Sequence, residues 1–161
     1  DLGHISKVLC MDAIRSLSKG IVDYNIKEVS KIAFGSMVAG ILINENRTGL
    51  IHTASVALSE YTDLAHGLLN SILFEHVHRL NFKSNSQKVE DFQTLERRAV
   101  GFDLIDRVIE IGTNTKVIFH TKPDIEKIMF RISQDKGLNA LKFGAIDEIE
   151  VRKFLENICY G

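Results

Sequence analysis

Apolar residues recur every three or four positions along most of the chain, the period of an α-helix and not the alternation of a half-buried strand. Ile5, Val8, Leu9, Ile14 and Leu17 share one stripe, and Gly20 follows where a helix would end. Between Lys27 and Asn44 the pattern changes. Val29, Ile32, Ala33, Phe34, Met37, Val38, Ile41, Leu42 and Ile43 leave hardly any polar face, which predicts a central core helix enclosed on all sides. Ala33, Ser36 and Gly40 place small residues along one side of it, open to close approach by a neighbouring backbone. Gly35 and Gly40 each cost about 1 kcal/mol of helix propensity relative to alanine, so packing must favour them.

Two shorter apolar segments follow, Leu50 to Leu58 and Gly67 to Leu80, joined by Ser59 to His66. The polar stretch Asn81 to Lys88 reads as an exposed loop. Val89, Phe92, Leu95, Ala99, Phe102, Ile105 and Ile109 then advance in steps of three and four, the cleanest amphipathic helix of the chain, which Gly112-Thr113-Asn114 breaks. Thr115 to His120 is β-branched and aromatic and could form a short strand, although no neighbouring segment offers it a partner. Pro123 fits the first turn of a helix carrying Ile125, Ile128, Met129 and Ile132. Asp147 and Glu150 resemble a capping box opening a last helix with Val151, Phe154, Leu155 and Ile158. The expected fold is an all-α, multi-helix bundle.

Composition narrows the function classes. A chain of 161 residues fits a single domain, and 45% hydrophobic residues exclude intrinsic disorder. With 20 basic against 21 acidic side chains, the basic excess of a nucleic-acid or anionic-membrane binder is missing. The only proline, Pro123, stands where average usage gives about eight, which suits long helices. Cys10 and Cys159 show no framework spacing and read as buried or half-buried thiols in a reducing cytoplasm. The longest apolar run, Met37 to Ile43, is too short to span a membrane. The start lacks the basic and apolar regions of a signal peptide, so a cytoplasmic location is expected. Because the chain begins at Asp1 and not at methionine, it is expected to be a piece of something longer.

Four of the six histidines (His52, His66, His76 and His78) lie within a short window. Imidazole is the commonest nitrogen ligand for divalent metals, and two ligands on one helix would be three or four residues apart. His52 and His66 are fourteen apart (66 minus 52), so they meet only if the chain turns back on itself. On spacing alone, a buried histidine satisfied by a backbone carbonyl is the commoner outcome. His76 and His78 flank Val77 and point to different sides of a helix, which makes a shared site there weaker still.

The run Gly49-Leu50-Ile51-His52-Thr53-Ala54, followed after Leu64-Ala65 by His66-Gly67-Leu68-Leu69-Asn70-Ser71-Ile72-Leu73-Phe74-Glu75-His76-Val77, resembles the iron-containing alcohol dehydrogenase family. That family reads G-x-x-H-a-x-x-H-x-L-G and then H-G-x-x-N-A-x-L-L-P-H-V. Met11-Asp12-Ala13-Ile14-Arg15 is similar to its A-L-x-A-I helix and Ala33 to Gly40 to its A-S-x-x-A-G helix, so the clear match covers roughly Ile5 to Asn81. The resemblance implies the helical C-terminal domain of a longer, two-domain enzyme of the dehydroquinate synthase-like architecture. Its N-terminal domain, which binds NAD(P), would lie outside these residues, because neither G-x-G-x-x-G nor G-G-G-S-x-x-D occurs here.

By the same resemblance a divalent iron, in some relatives zinc, is held by one aspartate and three histidines. Carried over, His52 and His66 are two of these metal ligands; the other two come from an upstream D-x-x-x-H helix that Asp1 and His4 do not match. The implied reaction is hydride transfer between NAD(P) and a small alcohol or aldehyde, in a homo-oligomeric enzyme. No catalytic or dinucleotide-binding residue can be assigned within the chain. Departures from the family pattern are Val56 in place of a second histidine near the substrate, Ser59 in place of glycine, and Glu75 in place of proline. Two alternatives stay open: a zinc-dependent relative, such as a polyol (glycerol) dehydrogenase or a dehydroquinate synthase-like lyase, and a non-catalytic helical assembly domain with structural histidines.

Overall fold

The computed structural model describes residues 4–22, 28–46, 48–84, 86–101, 103–135 and 147–161. Among these the chain is all-helical, as the periodicity predicts: α1 (His4–Val22), α2 (Val29–Asn46), α3 (Leu50–Leu58), α4 (His66–Ser84), α5 (Ser86–Val100), α6 (Leu104–Thr113), α7 (Ile125–Ser133) and α8 (Glu148–Tyr160). No strand occurs among the described residues. The backbone groups into two compact units, Asp1–Arg47 with Glu90–Ile105, and Thr48–Val89 with Asp106–Gly161.

In the first unit α1 packs along α2. Gly20 does not end α1, which runs on to Val22. It is a point of close approach instead, since a Cβ there would come within 2.5 Å of Ile32 Cγ1. Gly35 plays the same part from α2, against the Ala13 carbonyl and Leu17. Ala33, Ser36 and Gly40, expected to admit close approach by a neighbouring backbone, are exposed. Nor is α2 enclosed on all sides: Val38 is buried, but Met37 is 57% exposed, Ile43 51% and Phe34 42%. A helix without a polar face need not lie inside its own chain.

The amphipathic run from Val89 to Ile109 is two helices and not one. Gly101 adopts φ +80° and its N–H donates to the Arg97 carbonyl (2.9 Å), the left-handed cap that ends α5. Glu96 is fully buried, and its Oε1 accepts from the Leu104 N–H (2.5 Å) at the start of α6. Its Oε2 is buried without a hydrogen-bond partner. Burial therefore pushes the Glu96 carboxyl up, against the pull of the Leu104 amide, and the neighbouring Asp103 adds to the rise while Arg97 opposes it.

The second unit holds the core. Leu58 of α3, Leu69 and Leu73 of α4, Ile128 of α7, and Val151 and Leu155 of α8 are each almost wholly enclosed. Burying a leucine of this kind is worth about 1.5–3 kcal/mol. α6 ends within Gly112-Thr113-Asn114 as expected, with Thr113 its last residue, and Gly112 is in addition a point of close approach, where a Cβ would collide with the Ser71 carbonyl of α4. The stretch Asn81 to Lys88, expected as a loop, is helical at every described position, because no glycine or proline interrupts it. Thr115 to His120 is irregular and not a strand, yet it is tethered: Thr62 Oγ1 donates to the Ile118 carbonyl (2.8 Å) and the His120 N–H to the Tyr61 carbonyl (3.0 Å).

Two helix starts differ in detail from the prediction. Asp124 caps α7, accepting from the Lys127 N–H (3.1 Å). Pro123 thus stands just outside the first turn, and its carbonyl accepts from the Tyr160 hydroxyl (2.8 Å). Asp147 caps α8 as expected, through the N–H groups of Ile149 (3.0 Å) and Glu150 (3.4 Å). The Glu150 carboxylate is engaged elsewhere, by Lys83 (3.1 Å). Cys10 and Cys159 are half-buried free thiols, and burial pushes Cys159 up to about 11.

Candidate metal centre

α3 and α4 form a helical hairpin, and their packing decides where the two histidines meet. His52 is the third residue of α3, and His66 is the first of α4. The intervening turn is held at several points. Tyr61 N–H donates to the Leu58 carbonyl (2.9 Å), Leu64 N–H to Thr62 Oγ1 (3.3 Å), and both Tyr61 and Thr62 are buried. Glu60 takes a salt bridge from Lys127 (3.1 Å) and another from Arg131, fastening the turn to α7. The hydrogen bond from Lys127, with help from Arg131, holds the Glu60 carboxyl below its ordinary range. Thr53 Oγ1 donates to Asp135 beyond the end of α7, a second tie between α7 and α3.

With the hairpin so fixed, His52 Nδ1 lies 3.1 Å from His66 Nε2. The rings are edge-on, with centroids 4.9 Å apart and planes at 80°. Both side chains are exposed, so neither is the buried core histidine that spacing alone favoured. Two imidazole nitrogens on one ion at ~2.1 Å each stand roughly 3.0 Å apart in octahedral and 3.4 Å apart in tetrahedral geometry. The observed separation lies between these values, so the pair fits two adjacent positions of one metal shell. The rest of a shell lies outside this pair: among the described residues no group of three or more His, Cys, Asp or Glu side chains could hold a metal.

The surroundings are asymmetric. Ser55, fully buried one turn along α3, donates its hydroxyl to the His52 carbonyl (2.9 Å), and its Oγ lies 3.2 Å from His66 Nδ1. Nothing in the sequence reading pointed to this residue. The available signal was a lone hydroxyl at helical spacing from His52 on the buried side of an apolar helix. Val56, one turn beyond His52, is 43% exposed and presents an apolar surface. Asn70, one turn beyond His66, has an Oδ1 shielded from solvent with no hydrogen-bond partner.

The other two clustered histidines belong to packing. His76 stacks on Phe154 of α8 (5.4 Å, 15°), and His78 stacks on Phe74 within α4 (5.9 Å, 5°). Burial holds His76 below its ordinary value, with Arg79 acting in the same direction and Glu75 against both.

Comparison with known proteins bears on the same residues. Residues 5–115 match the model of the Fe-containing alcohol dehydrogenase family, C-terminal, a stretch that includes both histidines and extends past Asn81 through α6. A 1,3-propanediol dehydrogenase of Klebsiella pneumoniae is 27% identical over 100 residues, 59% of this chain and 26% of that protein. Its counterpart from Citrobacter freundii is 27% identical over 96 residues, 56% of this chain and 25% of the relative. The matched stretch thus spans about a quarter of the length of these curated relatives. The crystal structure of an iron-containing alcohol dehydrogenase from Thermotoga maritima shares the fold, with a TM-score of 0.75 at 20% identity over 98% of this chain and 43% of that one.

Proposed function

Since the chain belongs to the Fe-containing alcohol dehydrogenase family and corresponds to its C-terminal, helical part, we propose that it supplies two metal ligands, His52 and His66, to an NAD(P)-dependent alcohol dehydrogenase. The observation that carries this reading is the 3.1 Å approach of two solvent-accessible imidazole nitrogens from separate helices. The metal is iron, with zinc as the substitute found in relatives, and its remaining ligands come from residues outside the described pair. When bound, a divalent cation supplies Lewis acidity to the oxygen of a small alcohol or aldehyde. A nicotinamide, held by a dinucleotide-binding domain outside these 161 residues, would supply the hydride chemistry. The protein works as a homo-oligomer in the cytoplasm.

The chain's own residues do the positioning. Two neutral imidazoles suit iron or zinc and take no charge off a bound cation, which would leave it able to polarise an alcohol oxygen. The Ser59–Ala65 turn, tied to Ile118, His120, Lys127 and Arg131, fixes the separation of the two rings. Val56 can neither give nor take a proton, so proton exchange with the substrate runs through other groups.

Elemental analysis of the intact protein tests the reading. Stoichiometric iron or zinc is expected in the wild type, and His52→Ala and His66→Ala should each lose both metal and alcohol oxidation while keeping the helical fold. Metal-free wild type, together with a His52→Ala variant unchanged in activity, overturns it. Asp1–Gly161 alone is expected to show no nicotinamide-dependent turnover.

A further inference from the structure

Ser55 is enclosed in the α3–α4 hairpin, where its hydroxyl has one hydrogen to give and two lone pairs to offer. The hydrogen has a near acceptor one helical turn back, the His52 carbonyl at 2.9 Å. This is the usual back-bond of a serine inside a helix. With the hydrogen committed there, Ser55 Oγ faces His66 Nδ1 at 3.2 Å as an acceptor, and the contact is favourable only if Nδ1 carries the ring proton. In a neutral imidazole the other nitrogen is then bare. That nitrogen is Nε2, the atom 3.1 Å from His52 Nδ1.

We infer that Ser55 is a positioning residue that holds His66 in its Nδ1–H form and so keeps the Nε2 lone pair directed at the point shared with His52. The inference rests on the metal-site reading only for its purpose, since the tautomer itself is a property of the metal-free chain. The arrangement runs against the intrinsic preference of the side chain. A histidine in water favours the proton on Nε2, which here would point a hydrogen into the ligand position. Partners on the far nitrogen of a metal-binding histidine commonly set both its tautomer and its basicity. In this hairpin that partner comes from the same helix as the first histidine, so α3 contributes one ligand and orients the other.

The test is heteronuclear NMR on the intact, metal-stripped protein carrying ring-15N histidine, at a pH alkaline enough to keep imidazoles neutral. For His66 the wild type should show a protonated Nδ1 and an unprotonated Nε2. Ser55→Ala should shift the balance toward the Nε2–H form and weaken zinc(II) binding, read by chelator competition, by about 10–100-fold. Ser71→Ala is the control: it removes another buried serine back-bond, to the Leu68 carbonyl at 2.8 Å, and should leave both readouts unchanged. A wild-type His66 protonated on Nε2 overturns the inference, and that measurement decides the matter even if Ser55→Ala fails to fold. A tautomer indifferent to Ser55→Ala in a folded protein overturns it as well. Tight zinc binding with the wrong tautomer refutes the role of Ser55 alone. The expected tautomer without zinc binding supports the role and refutes the metal site.

Discussion

Gly112→Ala adds one methyl group at the place where α6 rests on α4. In an open helix the change would gain about 1 kcal/mol of propensity. Here the new Cβ would lie 2.7 Å from the Ser71 carbonyl carbon, 3.1 Å from Ile72 N, and closer still to the Ser71 oxygen. Those are backbone atoms in mid-helix, so no side chain can swing aside. Non-bonded carbons rest ~3.5 Å apart, so α6 must withdraw from α4 by about 1 Å. Overpacking of this kind costs roughly 1–3 kcal/mol, which exceeds the propensity gain. The comparison that isolates the effect is Gly67→Ala, in the first turn of the same α4, where a Cβ meets nothing within 4 Å. Thermal and urea unfolding of the two variants should move in opposite directions, with Gly112→Ala losing stability and Gly67→Ala neutral or gaining up to ~1 kcal/mol. Because α4 carries His66, the bound-metal stoichiometry of Gly112→Ala should fall too. A Gly112→Ala protein as stable as Gly67→Ala would mean that α6 does not sit on Ser71, and the reasoning fails.

Three further outcomes are expected. Burial raises the Glu96 carboxyl, so the folded chain binds that proton more tightly than the unfolded one; its contribution to stability is complete below the ordinary carboxylate range and is lost as pH rises through the raised value. Glu96→Gln should remove this dependence and unfold no more easily than the wild type at neutral pH; a wild-type-minus-variant difference that is flat with pH in denaturant titrations refutes it. Leu155→Ala, at a side chain wholly enclosed against α3, α4 and α7, should lose about 2–5 kcal/mol in the same titrations, and a loss below 1 kcal/mol would remove α8 from the core. With its thiol at about 11, Cys159 should react with iodoacetamide at mildly alkaline pH roughly a hundredfold more slowly than a free cysteine, and labelling at the free-cysteine rate contradicts its half-burial.

The parts of the fold legible in the sequence were those where one apolar stripe meets one core. α7 shows this directly, since Ile125, Ile128 and Ile132 are its buried residues and also its periodic ones. Where geometry depends on a partner surface, periodicity is silent. The steps of three and four run straight across Gly101, although the backbone there turns left-handed. Gly112 reads as punctuation and α6 does end one residue later, but its contact with backbone 41 residues away (112 minus 71), at Ser71, leaves no trace in the periodicity. The uniform apolarity of α2 said that the helix avoids water, but not that this chain would cover it, and Phe34, Met37 and Ile43 remain outside. His52 and His66 were legible as a pair only through family resemblance, because spacing cannot show that a chain turns back. Ser55 was not legible at all, since its role lies in which lone pair faces which nitrogen.

The same turn that brings the histidines together would, with a metal bound, make them a reversible fastening. Fourteen residues separate two groups that stand 3.1 Å apart in the folded chain, and closing a loop of that length in an open chain costs on the order of 3 kcal/mol. Folding of the hairpin meets that entropy in advance. An ion shared by the two rings would therefore act as a cross-link between α3 and α4 that forms without oxidation and is undone by a chelator. Folding stability and metal occupancy would then be one linked equilibrium. Amide protection of the α3–α4 turn should then follow metal concentration, while α1 and α2 exchange at a rate set by their own packing.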